Sequence, residues 1–356
     1  MNIYCQRITL NPVQRLREIG NQIVHVLGAD GEADSALVGI VREKGYLYAP
    51  NPFIMKKTSF LSFVTAALAA VACASGPVAP DAAKSRVVEE GGTGPYKVLM
   101  LEDSTLAAHT LFVPADLSPF SKKNPLPVLV WGNGACTNSP WEHYKFLNEI
   151  AAHGFLVIAT GYIPMEEKPY RGPMSTSAQQ IESIDWAIAQ NADKDSPYYG
   201  RIDVEHIAAA GMSCGGLQTL DNATDPRLTT IMICNSGLFL NPATAVPNMP
   251  MPAKERLQEI AVPVIYILGG PEDIAYENGM DDFHRLVKVP AFAANYPVGH
   301  GGTYRQEHGG EFVVPALAWL QWQLKGDKEA AKMFVGADCG LAGRDGWTVE
   351  KNGMID

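Results

Sequence analysis

A Gly-x-Ser-x-Gly pentapeptide at residues 211–215 is the feature that most limits the folds open to this chain. It follows an apolar run at residues 207–210 and leads into Gly216 and Leu217, the small-residue start of a helix. A serine can stand at the tip of such a strand-to-helix turn only in a strained backbone conformation, with small neighbours two positions away. The pattern therefore predicts an exposed, activated Ser213.

Apolar runs and helical spacings alternate along the chain on both sides of this motif. The apolar runs are continuous, as in strands that are buried on both faces of a sheet. Repeated strand and helix favours an α/β fold, with a mostly parallel central sheet and helices on both faces. We predict one such domain over residues 74–356. The predicted strands are 96–101, 110–113, 127–131, 155–159, 207–210, 229–234, 262–268 and 291–296, and the predicted helices are 142–152, 177–192, 253–260, 281–287 and 311–324.

The first part of the chain has a different character, which changes at the Met-Lys-Lys sequence beginning at Met55. A short basic start there precedes an apolar stretch at residues 60–72 that ends in small residues, the layout of a secretory signal peptide. The stretch is too short to span a bilayer as a stable helix. We predict that Met55 is the initiator, that residues 1–54 are an upstream extension and that residues 55–73 are the signal peptide. The alternative is a short amphipathic N-terminal domain followed by an internal apolar helix.

Cys73 directly follows this apolar stretch, in a sequence similar to a bacterial lipoprotein cleavage box but with alanine where leucine is usual. Lipid anchoring at Cys73 and simple cleavage beside it are both open, and either outcome makes the mature protein secreted or periplasmic. Such an oxidising compartment favours disulfides. The cysteines that remain after the signal are Cys136, Cys214, Cys234 and Cys339.

The charge and the motif content exclude two classes of ligand. The formal net charge is -10 at pH 7 and the isoelectric point is about 5.3, whereas binding to phosphates needs clustered lysine and arginine. We therefore expect no nucleic-acid partner. The sequence contains neither Cys-x-x-Cys nor His-Glu-x-x-His, so we expect no metal site and no other cofactor.

An acid and a base are needed to activate Ser213, because a serine hydroxyl is a poor nucleophile at neutral pH. In an open parallel sheet these partners lie just after the strands. Asp273 comes shortly after the predicted strand at residues 262–268 and is the predicted acid. Glu272 is the alternative, since a one-residue shift of the loop would present it instead. Ordinary turn-forming acids in a solvated loop are the simpler interpretation of both.

His300 is the predicted base. It follows the predicted strand at residues 291–296 and lies between Gly299 and Gly301, which let the backbone turn and keep the imidazole uncovered. His308, in the same loop region, is the alternative. The chain order serine, aspartate, histidine is that of the α/β hydrolases and differs from the order in other Ser-His-Asp folds.

Two backbone amides are predicted to stabilise the oxyanion of a tetrahedral intermediate. One belongs to Cys214, directly after the nucleophile, and the other to Cys136 or Ala135 in the loop that begins with Gly-Asn-Gly. If both amides point to the same oxygen, the side chains of Cys136 and Cys214 would lie close enough for a disulfide behind the site. Two small buried thiols are the alternative. A second bridge, between Cys234 and Cys339, is also open.

These motifs resemble the α/β-hydrolase superfamily of serine esterases, and within it the secreted branch that includes dienelactone hydrolase-like esterases, cutinases and bacterial polyester hydrolases. The resemblance implies the α/β-hydrolase fold and hydrolysis of carboxylic esters through an acyl-enzyme intermediate. Ser213, His300 and Asp273 would act as nucleophile, base and acid. The resemblance runs from about residue 98 to residue 324 and is carried by residues 131–134, 153–157, 211–216, 273–275 and 299–300.

The chain departs from the polyester hydrolases at two kinds of position. An aromatic residue or a methionine usually stands where this chain has Cys136 and Cys214. In those enzymes an aromatic platform follows the sixth strand, and the residue at that place in this chain is either Phe239 or Leu238. These departures leave polymer cleavage open and the expectation of an ester hydrolase intact.

The substrate is the least constrained part of the prediction. The loop at residues 238–252 is short and rich in proline, which favours an open site for small-molecule or polymeric esters over a helical lid. A peptidase or an acyltransferase on the same fold would share the triad, and a hydrolase-like binding protein without activity is a further alternative. The oligomeric state is open. Aromatic residues that could form an apolar pocket, or could simply pack, are Trp141, Tyr162, Phe239 and Tyr304.

Overall fold

The structure is a computed structural model that describes most of the chain after residue 83. The predicted upstream extension at residues 1–54, the signal peptide at residues 55–73 and the anchor at Cys73 lie outside the described residues. None of the described helices is long and apolar enough to cross a membrane. The described residues all belong to one compact unit and are 84–166, 168, 170–241, 243 and 249–355.

Ten strands of the described residues form one sheet. They are β1 (Ser85–Arg86), β2 (Val98–Leu101), β3 (His109–Pro114), β4 (Leu126–Gly132), β5 (Leu156–Thr160), β6 (Ile202–Met212), β7 (Leu228–Cys234), β8 (Val264–Leu268), β9 (Ala291–Asn295) and β10 (Thr348–Lys351). Their order across the sheet is β1-β2-β3-β5-β4-β6-β7-β8-β9-β10. Neighbours from β5 to β9 are parallel, and the strands outside this block pair antiparallel. The predicted mostly parallel sheet is confirmed.

Helices connect the parallel strands, as the alternating pattern predicts, except between β7 and β8, where the described residues form only a 3-10 turn. The described helices are α1 (Tyr144–Ala152), α2 (Ser177–Ala192), α3 (Cys214–Asp221), α4 (Tyr276–Arg285), α5 (Gly310–Lys325) and α6 (Lys328–Ala331). Short 3-10 turns occur at Gly134–Cys136, Lys254–Gln258 and Glu307–Gly309.

Some predicted elements differ from the structure for physical reasons. The helix predicted at residues 253–260 is wrong, because only a 3-10 turn forms there. Pro252 and Pro263 bound this segment, and proline together with its preceding residue disfavours helical backbone. The helix predicted at residues 281–287 begins earlier, as α4. The edge strands β1 and β10 have exposed or half-buried side chains, so they lack the apolar run by which a strand is recognised.

The sheet is buried on both faces. On β5, Val157 and Ala159 belong to one apolar cluster whereas Leu156 and Ile158 belong to the other, as the two-residue period of a strand requires. Helices α1 and α5 cover the first face, and α2, α3 and α4 cover the second. Helices on both sides thus hold the central strands in place.

The parallel strands end at a common edge of the sheet. The last residue of β6 pairs with Cys234 on β7, and Leu268 at the end of β8 pairs with Asn295 at the end of β9. Gly132 at the end of β4 pairs with Gly211. The loops that follow these strands therefore start side by side, which is where ligands bind in open α/β sheets.

Candidate active site

Ser213 forms the turn between β6 and α3, with φ 53° and ψ −116°. A non-glycine residue in this conformation costs on the order of 1–3 kcal/mol and persists only where the surrounding structure holds it. The amide of Ser213 donates to the carbonyl oxygen of Cys234 (2.9 Å), and its carbonyl oxygen accepts from Ser236 Oγ (2.7 Å). The strand-to-helix turn expected from the pentapeptide is present, and Ser213 is partly exposed.

Glycines let the end of β4 approach the start of α3. A Cβ at Gly215 would lie 2.0 Å from the carbonyl oxygen of Gly132, and a Cβ at Gly211 would lie 2.3 Å from the carbonyl carbon of Gly215. Such distances are far below van der Waals contact, so neither glycine of the pentapeptide can carry a side chain without a shift of the backbone. The same contact places the loop after β4 beside Ser213.

Ser213, His300 and Asp273 lie in one hydrogen-bonded line. His300 Nε2 is 3.0 Å from Ser213 Oγ, and His300 Nδ1 is 2.6 Å from a carboxylate oxygen of Asp273. Glu272 is exposed, and His308 lies instead near Glu149, with 3.4 Å between Nδ1 and the carboxylate. The structure therefore brings the three predicted residues together and neither of the alternatives.

Asp273 is a buried carboxylate with several donors. One oxygen accepts from the amide of Ala275 (2.9 Å) as well as from His300, and the other accepts from the amide of Gly269 (3.0 Å) and from Asn235 Nδ2 (2.7 Å). Burial alone raises the pKa of this carboxyl, but the hydrogen bonds outweigh burial and hold the pKa below its ordinary value. Asp273 is thus kept ionised and fixed in orientation beside the imidazole.

Asn235 also belongs to the candidate site, although the sequence patterns did not predict it. It follows β7 at φ 42° and is fully buried. Its amide nitrogen donates to Asp273, and its amide oxygen accepts a hydrogen bond of 2.5 Å from Tyr304 Oη. The sequence feature that could have indicated Asn235 is its place directly after a central strand, at the same edge of the sheet as Ser213, Asp273 and His300.

Tyr304 lies in the interior of the protein, next to Asn235. Its side chain is 2% exposed and contacts the rings of Trp131, His143 and Phe146. Burial raises the pKa of Tyr304 well above its ordinary value, so the phenol remains a neutral donor. Tyr304 thus packs in the interior, which is the alternative to a pocket role that the sequence left open.

Trp141 and Phe239 are also more enclosed than a substrate platform would be. Trp141 is 8% exposed and lies under the guanidinium of Arg305, 4.8 Å from the ring centre. Phe239 is half-buried and packs on the core. Tyr162 is 44% exposed and stacks on Tyr170. Residues 242 and 244–248 of the predicted proline-rich loop lie outside the described part of the chain.

Cys136 and Cys214 form a disulfide, with 5.1 Å between their Cα atoms. This confirms the predicted bridge, which involves the residue next to Ser213. Cys214 is the first residue of α3, so its amide has no partner within the helix. Ala135 and Cys136 belong to the turn after β4, on the other side of the bridge. The predicted oxyanion donors thus lie on two elements that the disulfide joins.

The second bridge left open by the sequence does not form. Cys234 and Cys339 are buried free thiols in the described structure. Cys234 ends a central strand, and burial raises the pKa of its thiol far above the ordinary value. Among the described residues, no group of three or more His, Cys, Asp or Glu side chains is arranged to hold a metal ion.

Comparison with models of protein families identifies a related family. A family model named PETase, with the description PET hydrolase-like, matches residues 79–279. The matched region is more than half of the chain and includes Ser213 and Asp273, whereas His300 lies beyond it. No curated protein matches the chain.

Proposed function

The chain belongs to the PET hydrolase-like family, and on this premise we propose that it is a secreted serine hydrolase that cleaves carboxylic esters through an acyl-enzyme. One observation carries the proposal: Ser213 Oγ lies 3.0 Å from His300 Nε2, and His300 Nδ1 lies 2.6 Å from Asp273. A strained serine in hydrogen-bond contact with a base, which is itself oriented by a buried carboxylate, is the arrangement of a nucleophilic triad.

In the proposed mechanism, Ser213 Oγ attacks the ester carbonyl while His300 Nε2 takes the hydroxyl proton. Asp273 holds the imidazole through Nδ1 and stabilises the imidazolium that forms. His300 then returns the proton to the leaving alcohol oxygen. A water molecule repeats the cycle: His300 takes its proton, the hydroxide attacks the acyl carbon, and Ser213 regains its proton as the acid departs.

The developing oxyanion is stabilised by backbone amides at the end of the sheet. The proposed donors are Cys214, at the start of α3, and either Cys136 or Ala135 in the turn after β4. The amide of Cys214 also benefits from the positive end of the helix macrodipole. Removal of one such donor costs about 100- to 1,000-fold in kcat in serine hydrolases.

The surface beside the triad supports an apolar, bulky or polymeric ester as the substrate. Ile274 directly follows Asp273 and is 80% exposed. Val298, two residues before His300, and Tyr162, after β5, are also exposed. Exposed apolar side chains at a ligand-binding edge are typical of surfaces that bind apolar partners. Polymer cleavage is therefore part of the proposal, although Trp141 and Phe239 are too enclosed to form a broad platform.

Secretion is proposed on the signal-like sequence at residues 55–73 and on the disulfide. The bridge between Cys136 and Cys214 fits an oxidising compartment, where disulfides persist. N-terminal sequencing of the protein from the culture medium and from membranes tests this. Cleavage near Cys73 supports the proposal, and retention of residue 55 in a cytoplasmic protein contradicts it.

A fluorophosphonate probe tests the enzyme function directly. We expect the intact protein to be labelled at Ser213 and Ser213→Ala to remain unlabelled, with Ser118→Ala, at an exposed serine, as the control that keeps labelling. Rates on p-nitrophenyl esters of graded chain length, measured beside release of soluble products from a polyester film, then define the substrate. Absence of labelling in the intact, folded protein contradicts the proposal, and cleavage of peptides in preference to esters would indicate a peptidase.

A further inference from the structure

The disulfide of this chain joins the two segments that carry the proposed oxyanion donors. Cys136 lies in the turn after β4, Cys214 begins α3, and both side chains are fully buried. We propose that the Cys136–Cys214 bridge is a positioning device that holds the two segments at the spacing which the oxyanion requires. This inference rests on the proposed ester hydrolase function and deepens it.

The donor on α3 is held by the fold alone. Cys214 is followed by Gly215, which packs against Gly132 at the end of β4 so closely that a Cβ there would lie 2.0 Å from the Gly132 carbonyl oxygen. Leu217 N–H donates to the carbonyl oxygen of Ser213 (3.1 Å) and continues the helix from the nucleophile. The amide of Cys214 therefore has a fixed direction whether or not the bridge is present.

The turn that carries the other donor is strained. Ala135 has φ 51° and Cys136 has φ 49°, so two successive residues with side chains occupy the left-handed region. Asn133 before them and Thr137 after them are extended. L-residues avoid the left-handed region because Cβ approaches the carbonyl oxygen, and two in succession persist only when contacts hold them.

The hydrogen bonds around the turn hold its carbonyl side. The carbonyl oxygen of Cys136 accepts from Ser175 N (2.7 Å) and from Ser175 Oγ (3.2 Å), and the carbonyl oxygen of Gly134 accepts from Thr137 N (3.0 Å). Gln218 of α3 donates to the carbonyl oxygen of Ser175 (3.1 Å) and, at a longer distance, to Cys136 Sγ (3.5 Å), so hydrogen bonds of this side chain also link the segment to the helix. The disulfide is the direct covalent link between the strained turn and α3.

This arrangement explains why the bridge would affect catalysis and not only stability. Oxyanion donors act because they are already aimed at the place where negative charge develops. A misplacement of about 1 Å can cost about 100-fold in rate. A turn that relaxes after loss of the bridge would leave substrate binding nearly unchanged and weaken only the transition state. We therefore expect a fall in kcat of about 10- to 100-fold with a change in KM below about threefold.

The test is the double variant Cys136→Ser/Cys214→Ser, which keeps the side-chain size and removes the bridge. Its kcat and KM on a p-nitrophenyl ester are measured per active site, counted by phosphonate titration, at a temperature well below its own unfolding midpoint. The inhibition constant of an alkylboronic acid, whose adduct mimics the tetrahedral intermediate, should rise in parallel with the fall in kcat. Cys339→Ser, a buried thiol outside the bridge, is the control and should keep wild-type values.

If the double variant does not fold, the same measurement is made on wild-type protein refolded with a dithiol. The dithiol gives two electrons and two protons to the bridge, which becomes two thiols, and is itself oxidised to a cyclic disulfide; reoxidation should restore kcat. A kcat per active site within about threefold of wild type, without a change in boronate affinity, overturns the inference. An inactive, unlabelled wild-type protein would instead contradict the proposed function, so the two failures are distinct.

Discussion

Asn235 connects the buried acid of the site to a buried phenol. Its amide nitrogen lies 2.7 Å from Asp273, and its amide oxygen lies 2.5 Å from Tyr304 Oη. The tyrosine hydroxyl donates to that oxygen, because an amide oxygen can only accept and burial keeps the phenol protonated. Tyr304 thus orients the amide so that its nitrogen faces the carboxylate, and Asn235 acts as a positioning residue for Asp273.

Asn235→Ala should lower kcat by about tenfold and leave KM nearly unchanged, because a hydrogen bond to a charged group contributes about 1.5–3 kcal/mol. The acid limb of kcat/KM should also move to higher pH, since Asp273 loses a donor that favours its ionised form. Tyr304→Phe, which removes only the hydroxyl, should shift both quantities in the same direction by a smaller amount. A loss of stability with an unmoved pH profile would show a merely structural role.

Ser213→Gly should be more stable than Ser213→Ala by about 1 kcal/mol, although both lack activity. Glycine adopts φ 53° without the steric strain that alanine retains, and this relief of about 1–3 kcal/mol exceeds the added entropy of the unfolded chain. Urea unfolding of the two variants measures the difference. Equal stabilities would mean that the strand-to-helix turn stores no strain at this residue.

Gly215→Ala should abolish activity and destabilise the fold, because the added Cβ would meet the carbonyl oxygen of Gly132 at 2.0 Å. Backbone must move to relieve this clash, and overpacking of this kind costs about 1–3 kcal/mol or more. Gly343→Ala is the matched control, since its Cβ would have an ordinary contact at 3.7 Å. Thermal unfolding and esterase rates of both variants check the prediction, and wild-type behaviour of Gly215→Ala would refute it.

Ionisation of the buried Asp282 carboxyl should lower the stability of the protein as the pH rises from about 4 to about 6. Burial raises the pKa of this carboxyl to about 6, and Lys254 only partly offsets the effect. The folded state therefore binds a proton more tightly than the unfolded state, whose value is near 3.8. The free energy of unfolding therefore falls with rising pH in this window, by on the order of 2 kcal/mol in total.

The matched variant for this pH dependence is Asp282→Asn, which cannot titrate and keeps an oxygen for the amide of Leu238, now bonded at 2.6 Å. Urea unfolding between pH 4 and pH 7 should show wild type losing stability relative to the variant as the pH rises. A stability difference that is constant across this range would contradict the assigned cause.

Local patterns were enough to predict the framework of this protein. The helix predicted at residues 177–192 coincides with α2, and the central strands lie close to their predicted bounds, except that β6 begins at Ile202, well before the predicted start at residue 207. The spacing of apolar residues and the need for glycine in a tight turn are properties of short segments, so they can be recognised in the sequence without knowledge of the tertiary structure. Ser213 was recognisable for the same reason.

Which of two neighbouring residues takes part in the candidate site depends on contacts between segments that are distant in the chain. Asp273 rather than Glu272 meets the imidazole because the amides of Gly269 and Ala275 hold its carboxylate inside the loop. The side chain of Asn235 is held by a hydrogen bond from Tyr304, which lies 69 positions away in the chain.

The cysteines show the same division between sequence and tertiary structure. The sequence by itself determined the parallel sheet, the strand-to-helix turn at Ser213 and the loops that follow the strands. Only the tertiary structure decided which side chains meet there, including the bridge from Cys136 to Cys214 and the free thiols of Cys234 and Cys339. The direction of a side chain in a loop is set by packing against segments far along the chain, and no local period encodes it.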